Sequence, residues 1–266
     1  MARRNRRSSV PRVLLVPASL GMLVLFAPLA ALFIRAPWAD LIQRLNTPLV
    51  REALTLSLVT SAITALLCLI LGVPIAVYLA NGQGRIRSIV RALVIVPLVL
   101  PPVVGGVALL AAFGRTGVLG SSVYETTGLA LPFSTAGVVT SQLFVALPFM
   151  VLAAEGALRI HGREFADAAA TLQASPWQTL VKITLPMAWA GIAAGLVLSW
   201  ARALGEFGAT ITFAGSIPGQ TQTVPLAVYA SLDVDQGDAI ALSIVMIIVS
   251  VLILVLGRGR WLGGLR

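Results

Sequence analysis

Long aliphatic runs alternate with short polar breaks along this chain, and each run approaches the roughly 20 residues an α-helix needs to cross a bilayer. The pattern predicts an all-α, polytopic membrane protein with six spans, at residues 13–34, 53–80, 88–113, 135–158, 187–209 and 239–256. The runs are continuous, whereas the strands of a membrane barrel would alternate apolar and polar positions. One connection stands apart from the others. Residues 164–186, EFADAAATLQASPWQTLVKITLP, are long and polar at both ends, and apolar spans flank them.

Polar residues inside the spans mark where helices should meet. Thr55, Ser57, Thr60, Ser61 and Thr64 gather in the first half of the second span, where hydroxyls bond their own backbone or a neighbouring helix. Asn81-Gly82-Gln83-Gly84 then turns the chain. The third span holds Pro97, Pro101, Pro102, Gly105 and Gly106. Each internal proline costs about 3 kcal/mol in a water-exposed helix, and in hydrocarbon the freed carbonyls need protein or a wet cavity beside them. A bent or broken helix facing the bundle interior is expected there, either lining a path or serving packing alone. Residues 114–132 form a loop, and the fourth span has Gln142 and Glu155 as its polar points. Glu155 is close enough to the span's end to reach water, so no transport role is assigned to it. In the fifth span Gly191 and Gly195 would let another helix approach, and Arg202 and Glu206 lie four residues apart on one helix face. Ionisable groups this deep mark a pathway or a mutually neutralising pair.

Composition agrees with the pattern: 58% of the 266 residues are hydrophobic and 11% charged. The single Cys68 falls inside a span, so no intrachain disulfide is possible. The net charge of +9 suggests nucleic acid, but the placement of the charges argues for a membrane instead. Arg3, Arg4, Arg6, Arg7 and Arg12 precede the first span, Arg85, Arg87 and Arg91 follow the second, Arg159, Arg163 and Lys182 adjoin the long polar loop, and Arg258, Arg260 and Arg266 come last. Because positive residues stay cytoplasmic, the basic segment 1–12, the loop at 159–186 and the tail 258–266 should all be inside, bracketing a transmembrane domain at 13–257. The first run is longer than a signal-peptide core and has no convincing cleavage site, so a retained helix is expected. Asp233, Asp235 and Asp238 lack the rest of a calcium loop and read as a solvated acidic connection.

Missing chemistry narrows the function. The chain has one lysine, Lys182, and Val181 precedes it, so no phosphate-cradling Gly-x-x-x-x-Gly-Lys loop exists. With one histidine, His161, neither a zinc cluster nor a histidine-based triad can be built. An intramembrane protease or transferase would need a constellation that is not found. A transporter built this way would draw its energy from ATP hydrolysed on another polypeptide or from an ion gradient, for which Glu206 is the one buried-carboxylate candidate.

The long loop carries a recognisable pattern. Asp167-Ala168-Ala169, then Gln173 and Ile183-Thr184-Leu185-Pro186, resemble the acidic-Ala-Ala loop of the membrane subunits of binding-protein-dependent ABC importers. The resemblance implies a coupling helix docked in a groove on an ATPase subunit, with Glu164, Asp167, Ala168, Ala169, Gln173, Ser175 and Pro176 as its residues. Two positions depart from the family: Asp167 replaces the usual Glu, and Gln173 the usual Gly. A Gln in the left-handed region costs about 1–2 kcal/mol, which favours a break of different geometry. Ser175 and Pro176 still make a helix start.

A second stretch resembles molybdate permeases in particular. The run from Arg202 to Gly215, RALGEFGATITFAG, is followed by Ser216 to Tyr229, SIPGQTQTVPLAVY. Sulfate permeases share the first part and tend to differ in the second. The resemblance implies a homodimer in a prokaryotic cell membrane, with two ABC ATPase subunits that carry ATP and Mg, and an extracytoplasmic molybdate-binding protein. The chain itself would bind no cofactor. Pro101, Pro102, Arg202, Gly205, Glu206, Gly208, Thr210 and Thr212 are the expected path or gate residues. Tungstate and sulfate remain open as substrates.

Overall fold

In hydrocarbon a backbone must satisfy its own hydrogen bonds, and a helix does so within one segment. All regular structure among the described residues is helical. The computed structural model describes residues 12–171 and 173–261, the side chains of 12, 161–171, 254 and 256–261 excepted. The helices are α1 Leu15–Ile34, α2 Leu41–Leu45, α3 Pro48–Ala80, α4 Arg85–Val99, α5 Pro102–Phe113, α6 Gly120–Thr127 and α7 Thr135–Thr171. They continue with α8 Pro176–Thr179, α9 Leu185–Leu204, α10 Gly208–Phe213, α11 Val224–Ser231 and α12 Gln236–Trp261. Five stretches are long and apolar enough to cross a membrane by themselves, and α4 with α5 makes a sixth if that bent pair is one span.

The third predicted span is therefore two helices, bent by 120° between them. The cause is local. A residue before proline is driven out of the helical region, and with Pro101 and Pro102 consecutive, both Leu100 (ψ 136°) and Pro101 (ψ 132°) are extended. Pro28, Pro74, Pro97 and Pro148 each stand alone and are absorbed inside helices. Two further expectations need correction. The fifth span stops at Leu204, so Glu206 lies in a break before α10. The loop at 114–132 contains α6, which Gly128 ends with a left-handed φ of 70°.

Helices α3, α7 and α9 form the centre. Their contact buries Cys68, Ala76 and Leu79 of α3 against Ala146, Met150, Val151, Ala154 and Leu158 of α7, and Ala188, Ile192 and Ala203 of α9. Small residues bring the axes together, as expected where lipid supplies no hydrophobic drive. A Cβ on Gly191 would overlap that of Ala157, and one on Gly195 would come within 3.0 Å of Ala153. The predicted small-residue pair is thus the seam between α9 and α7. A second cluster joins Val50 and Ala53 of α3 to Val224 and Ala227 of α11 and Leu242 of α12. By contrast, α1 buries no residue within the chain.

The hydroxyls of α3 tie this centre together. Thr64 donates to Gln142 Oε1 (3.0 Å), and Gln142 Nε2 donates to Thr60 (3.2 Å). Trp200 Nε1 donates to Ser61 (3.0 Å), and Ser57 accepts from the Val224 N–H that opens α11 (2.7 Å). At the end of the bundle where α3 begins, Arg44 of α2 holds Asp235 (2.8 Å) just ahead of α12 and Asp238 (2.6 Å) in its first turn. The hydrogen bond from Arg44 keeps the Asp235 carboxyl below the usual carboxylate range. The acidic connection is thus exposed, as expected, and also tethered. No group of residues that could hold a metal ion occurs among the described residues.

Candidate translocation path and coupling segment

Helix α9 ends at Gly205, and the carboxylate just beyond it turns inward. Glu206 is 1% exposed, and both of its oxygens have partners. Arg202 Nη1 donates to Oε2 at 2.7 Å, and the Ala209 N–H at the start of α10 donates to Oε1 at 2.7 Å. A buried carboxylate is tolerated only with such compensation. Depth follows from Trp200, two residues before Arg202, whose ring bonds Ser61. Ser61 is thirteen residues into the 33-residue α3, or about 20 Å along its axis. The ion pair therefore sits near mid-bundle.

Helix α10 packs against α5 at backbone distance. A Cβ on Gly208 would lie 2.7 Å from that of Pro102, and one on Gly106 would meet the Thr212 Cβ at 2.5 Å and the Ala209 carbonyl at 3.0 Å. The structure thus brings Pro102, Arg202, Glu206, Gly208, Thr210 and Thr212 into one region where the broken span meets the broken end of α9. Pro101 and Gly205 are exposed at the two breaks. The Thr212 hydroxyl bonds its own helix at Gly208 O (2.9 Å), while the Thr210 hydroxyl is buried without a partner. Downstream, the loop is held internally: Thr221 accepts from the Ile217 N–H (2.9 Å), and Gln222 donates to Ser216 (3.2 Å).

The segment beyond α7 has a defined backbone. Helix α7 runs unbroken to Thr171, so Glu164, Asp167, Ala168 and Ala169 lie on its last turns, with their side chains outside the described residues. Gln173 then adopts φ 56°. The break thus uses the left-handed geometry that glycine would supply, contrary to the expectation drawn from the Gln. Replacing Gln173 with Gly should raise stability by roughly 0.5–1 kcal/mol, the relief of strain exceeding the added freedom of the unfolded chain. A higher thermal midpoint in detergent is the result that checks it.

The restart after Gln173 is a full capping box: Ser175 Oγ accepts from the Gln178 N–H (3.3 Å), and Gln178 Oε1 accepts from the Ser175 N–H (3.1 Å). Pro176 occupies the first turn, and Trp177 beside it is 71% exposed. A π turn at Leu180–Thr184 follows before α9. Pro186 explains it: proline cannot donate to the carbonyl four residues back and its ring crowds that carbonyl, and widening the helix relieves both.

One cluster escaped the sequence reading. Glu155 is 4% exposed, and its Oε1 accepts from Arg91 Nη2 (2.5 Å) and from Arg159 Nε (2.9 Å). Both arginines also donate to Leu79 O in the last turn of α3, Arg91 at 3.4 Å and Arg159 at 3.2 Å. The pair with Arg159 is a helical i, i+4 contact visible in the sequence. Arg91 is 64 residues away in the chain, and no local signal announces it.

Residues 72–262 match the family described as binding-protein-dependent transport system inner membrane component. The chain belongs to that family. It is 46% identical over 235 residues to the molybdenum transport system permease protein ModB of Mycobacterium tuberculosis, covering 88% of this chain and 89% of that one. With the Escherichia coli K12 protein of the same name it shares 39% identity over 188 residues, 71% of this chain and 82% of the relative. Its fold resembles a bacterial ABC transporter involved in import of the acidic polysaccharide alginate, with a TM-score of 0.76 at 18% identity over 94% of this chain and 93% of that one. The chain is accordingly a transport component, with ATP hydrolysis on a separate subunit. It is a multi-pass inner-membrane protein whose partners are of the general kind such permeases have, an ATPase and a binding protein.

Proposed function

We propose that this chain is the permease subunit of an ATP-driven importer for molybdate. Two copies would form the translocation path, joined by two ATPase subunits inside and fed by a molybdate-binding protein outside, with both termini cytoplasmic. The observation that carries the substrate is the identity with the molybdenum permeases, which extends over most of the chain. The charge pattern supports the orientation, because arginines gather at the ends of the spans that adjoin the 159–186 loop.

Mechanistically, ATP closes the ATPase pair and draws the two coupling segments together, which switches the bundle from inward-open to outward-open. The anion enters a path beside α4–α5 and α9–α10 and leaves inward on resetting. The chain itself holds no cofactor, and ATP and Mg belong to the ATPase. Glu164 and Asp167, on the last turns of α7, are charges beside the ATPase groove. Selectivity belongs chiefly to the binding protein, so calorimetric titration of the cognate binding protein with molybdate, tungstate and sulfate tests the substrate. Tight binding of molybdate with sulfate far weaker is expected. Preference for sulfate would overturn the substrate assignment.

A further inference from the structure

Helix α4 is loosely held for an element that leads into the path. None of its residues is buried. Its hydrogen-bonded hold on the bundle among the described residues is Arg91, which grips Glu155 of α7 through Nε (3.0 Å) and Nη2 (2.5 Å) and reaches Leu79 O of α3. Beyond Val99 the chain breaks into α5, which meets α10 through Pro102 against Gly208 and Gly106 against Thr212. On the other side of Glu155, α7 continues without interruption to Thr171. Asp167 is twelve residues on, or about 18 Å of helix.

We infer that Arg91 is a positioning residue that passes displacement of α7 to the broken span, so that movement of the coupling segment reaches the path through Glu155 and α4. The inference rests on the reading of the chain as an ATP-driven permease. The geometry suits the task. Helix α7 is one continuous rod from the coupling segment to Glu155, and a bidentate guanidinium fixes direction as well as distance. The other contact of α4 with the core is through the half-buried Val90 and Val94, and such apolar packing is non-directional where the ion pair is not. Arg159 sits on the same helix as Glu155, so its pair adds no link to α4.

The test uses the complete transporter, permease with ATPase and binding protein, in proteoliposomes, with ATP hydrolysis and molybdate uptake measured on the same preparation. Arg91→Ala is expected to lower uptake per ATP hydrolysed by about tenfold, while hydrolysis stays within about twofold of wild type. Arg91→Lys should fall in the same direction, because an ammonium keeps the charge but cannot hold Glu155 in a fork and reach Leu79 O together. It also decides the matter if Arg91→Ala fails to assemble. Arg87→Ala removes a positive charge from the same helix, where Arg87 rests on the Tyr78 ring, and should leave the ratio unchanged. Equal ratios in wild type and both Arg91 variants, or an equal fall in Arg87→Ala, would overturn the inference alone. Absence of ATP-dependent uptake in wild type would overturn it together with the function it rests on.

Discussion

Placing a bulky charged residue at Ala168 or Ala169 is expected to separate ATP hydrolysis from uptake, with uptake falling tenfold or more while the assembled complex still hydrolyses ATP. These alanines lie on the final turns of α7, ahead of the left-handed Gln173. In the proposed complex this piece of helix lies in a groove on the ATPase. Small side chains allow close approach there, whereas a large ion must be desolvated or excluded. Ala168→Arg and Ala169→Glu, of opposite charge, should behave alike, because the obstacle is bulk at a fitted surface. Normal uptake with wild-type assembly in both would count against docking at this segment.

The second large effect is expected at the buried pair. Arg202→Ala leaves the Glu206 carboxylate, 1% exposed, with the Ala209 N–H as its remaining partner. Breaking a buried pair on one side costs roughly 3–5 kcal/mol, and the partial exposure of Arg202 (28%) places the effect toward the lower figure. Because Glu206 also fixes the start of α10, the loss should spread to the contact between α10 and α5. A double variant, Arg202→Met with Glu206→Gln, removes both charges while keeping an amide oxygen for the Ala209 N–H. It should be more stable than Arg202→Ala alone, since the unpaired charge carries most of the cost. Thermal midpoints of the purified proteins check the order, and a wild-type midpoint for Arg202→Ala would contradict it.

What the sequence could and could not say follows from how local each cause is. The spans were legible because their length and apolarity are properties of single segments, and the Gly191 and Gly195 seam because spacing alone puts both on one face. The hydroxyls of α3 bond neighbouring helices as expected, although which helices became clear only in three dimensions. The prolines announced a disruption in the third span. Its 120° bend depends on two adjacent prolines acting together and on the α10 surface that receives α5. Glu155 was misread because burial of a carboxylate at a helix end depends on what packs there, and its partner arrives from α4. Gln173 was expected to avoid the left-handed region on intrinsic cost. The structure places it there nonetheless, ahead of the Ser175 capping box, at a strain of about 1–2 kcal/mol.

The central claim is that this helical body is moved by a separate cytosolic ATPase acting on the segment around Asp167. The most direct test reconstitutes the permease in vesicles, with loaded binding protein on the side of the Arg44 cluster, and follows molybdate accumulation with and without the ATPase subunit. Accumulation should require the ATPase and hydrolysable ATP, and it should persist when proton and sodium gradients are collapsed. Uptake that continues without the ATPase and stops with the gradients would contradict the account.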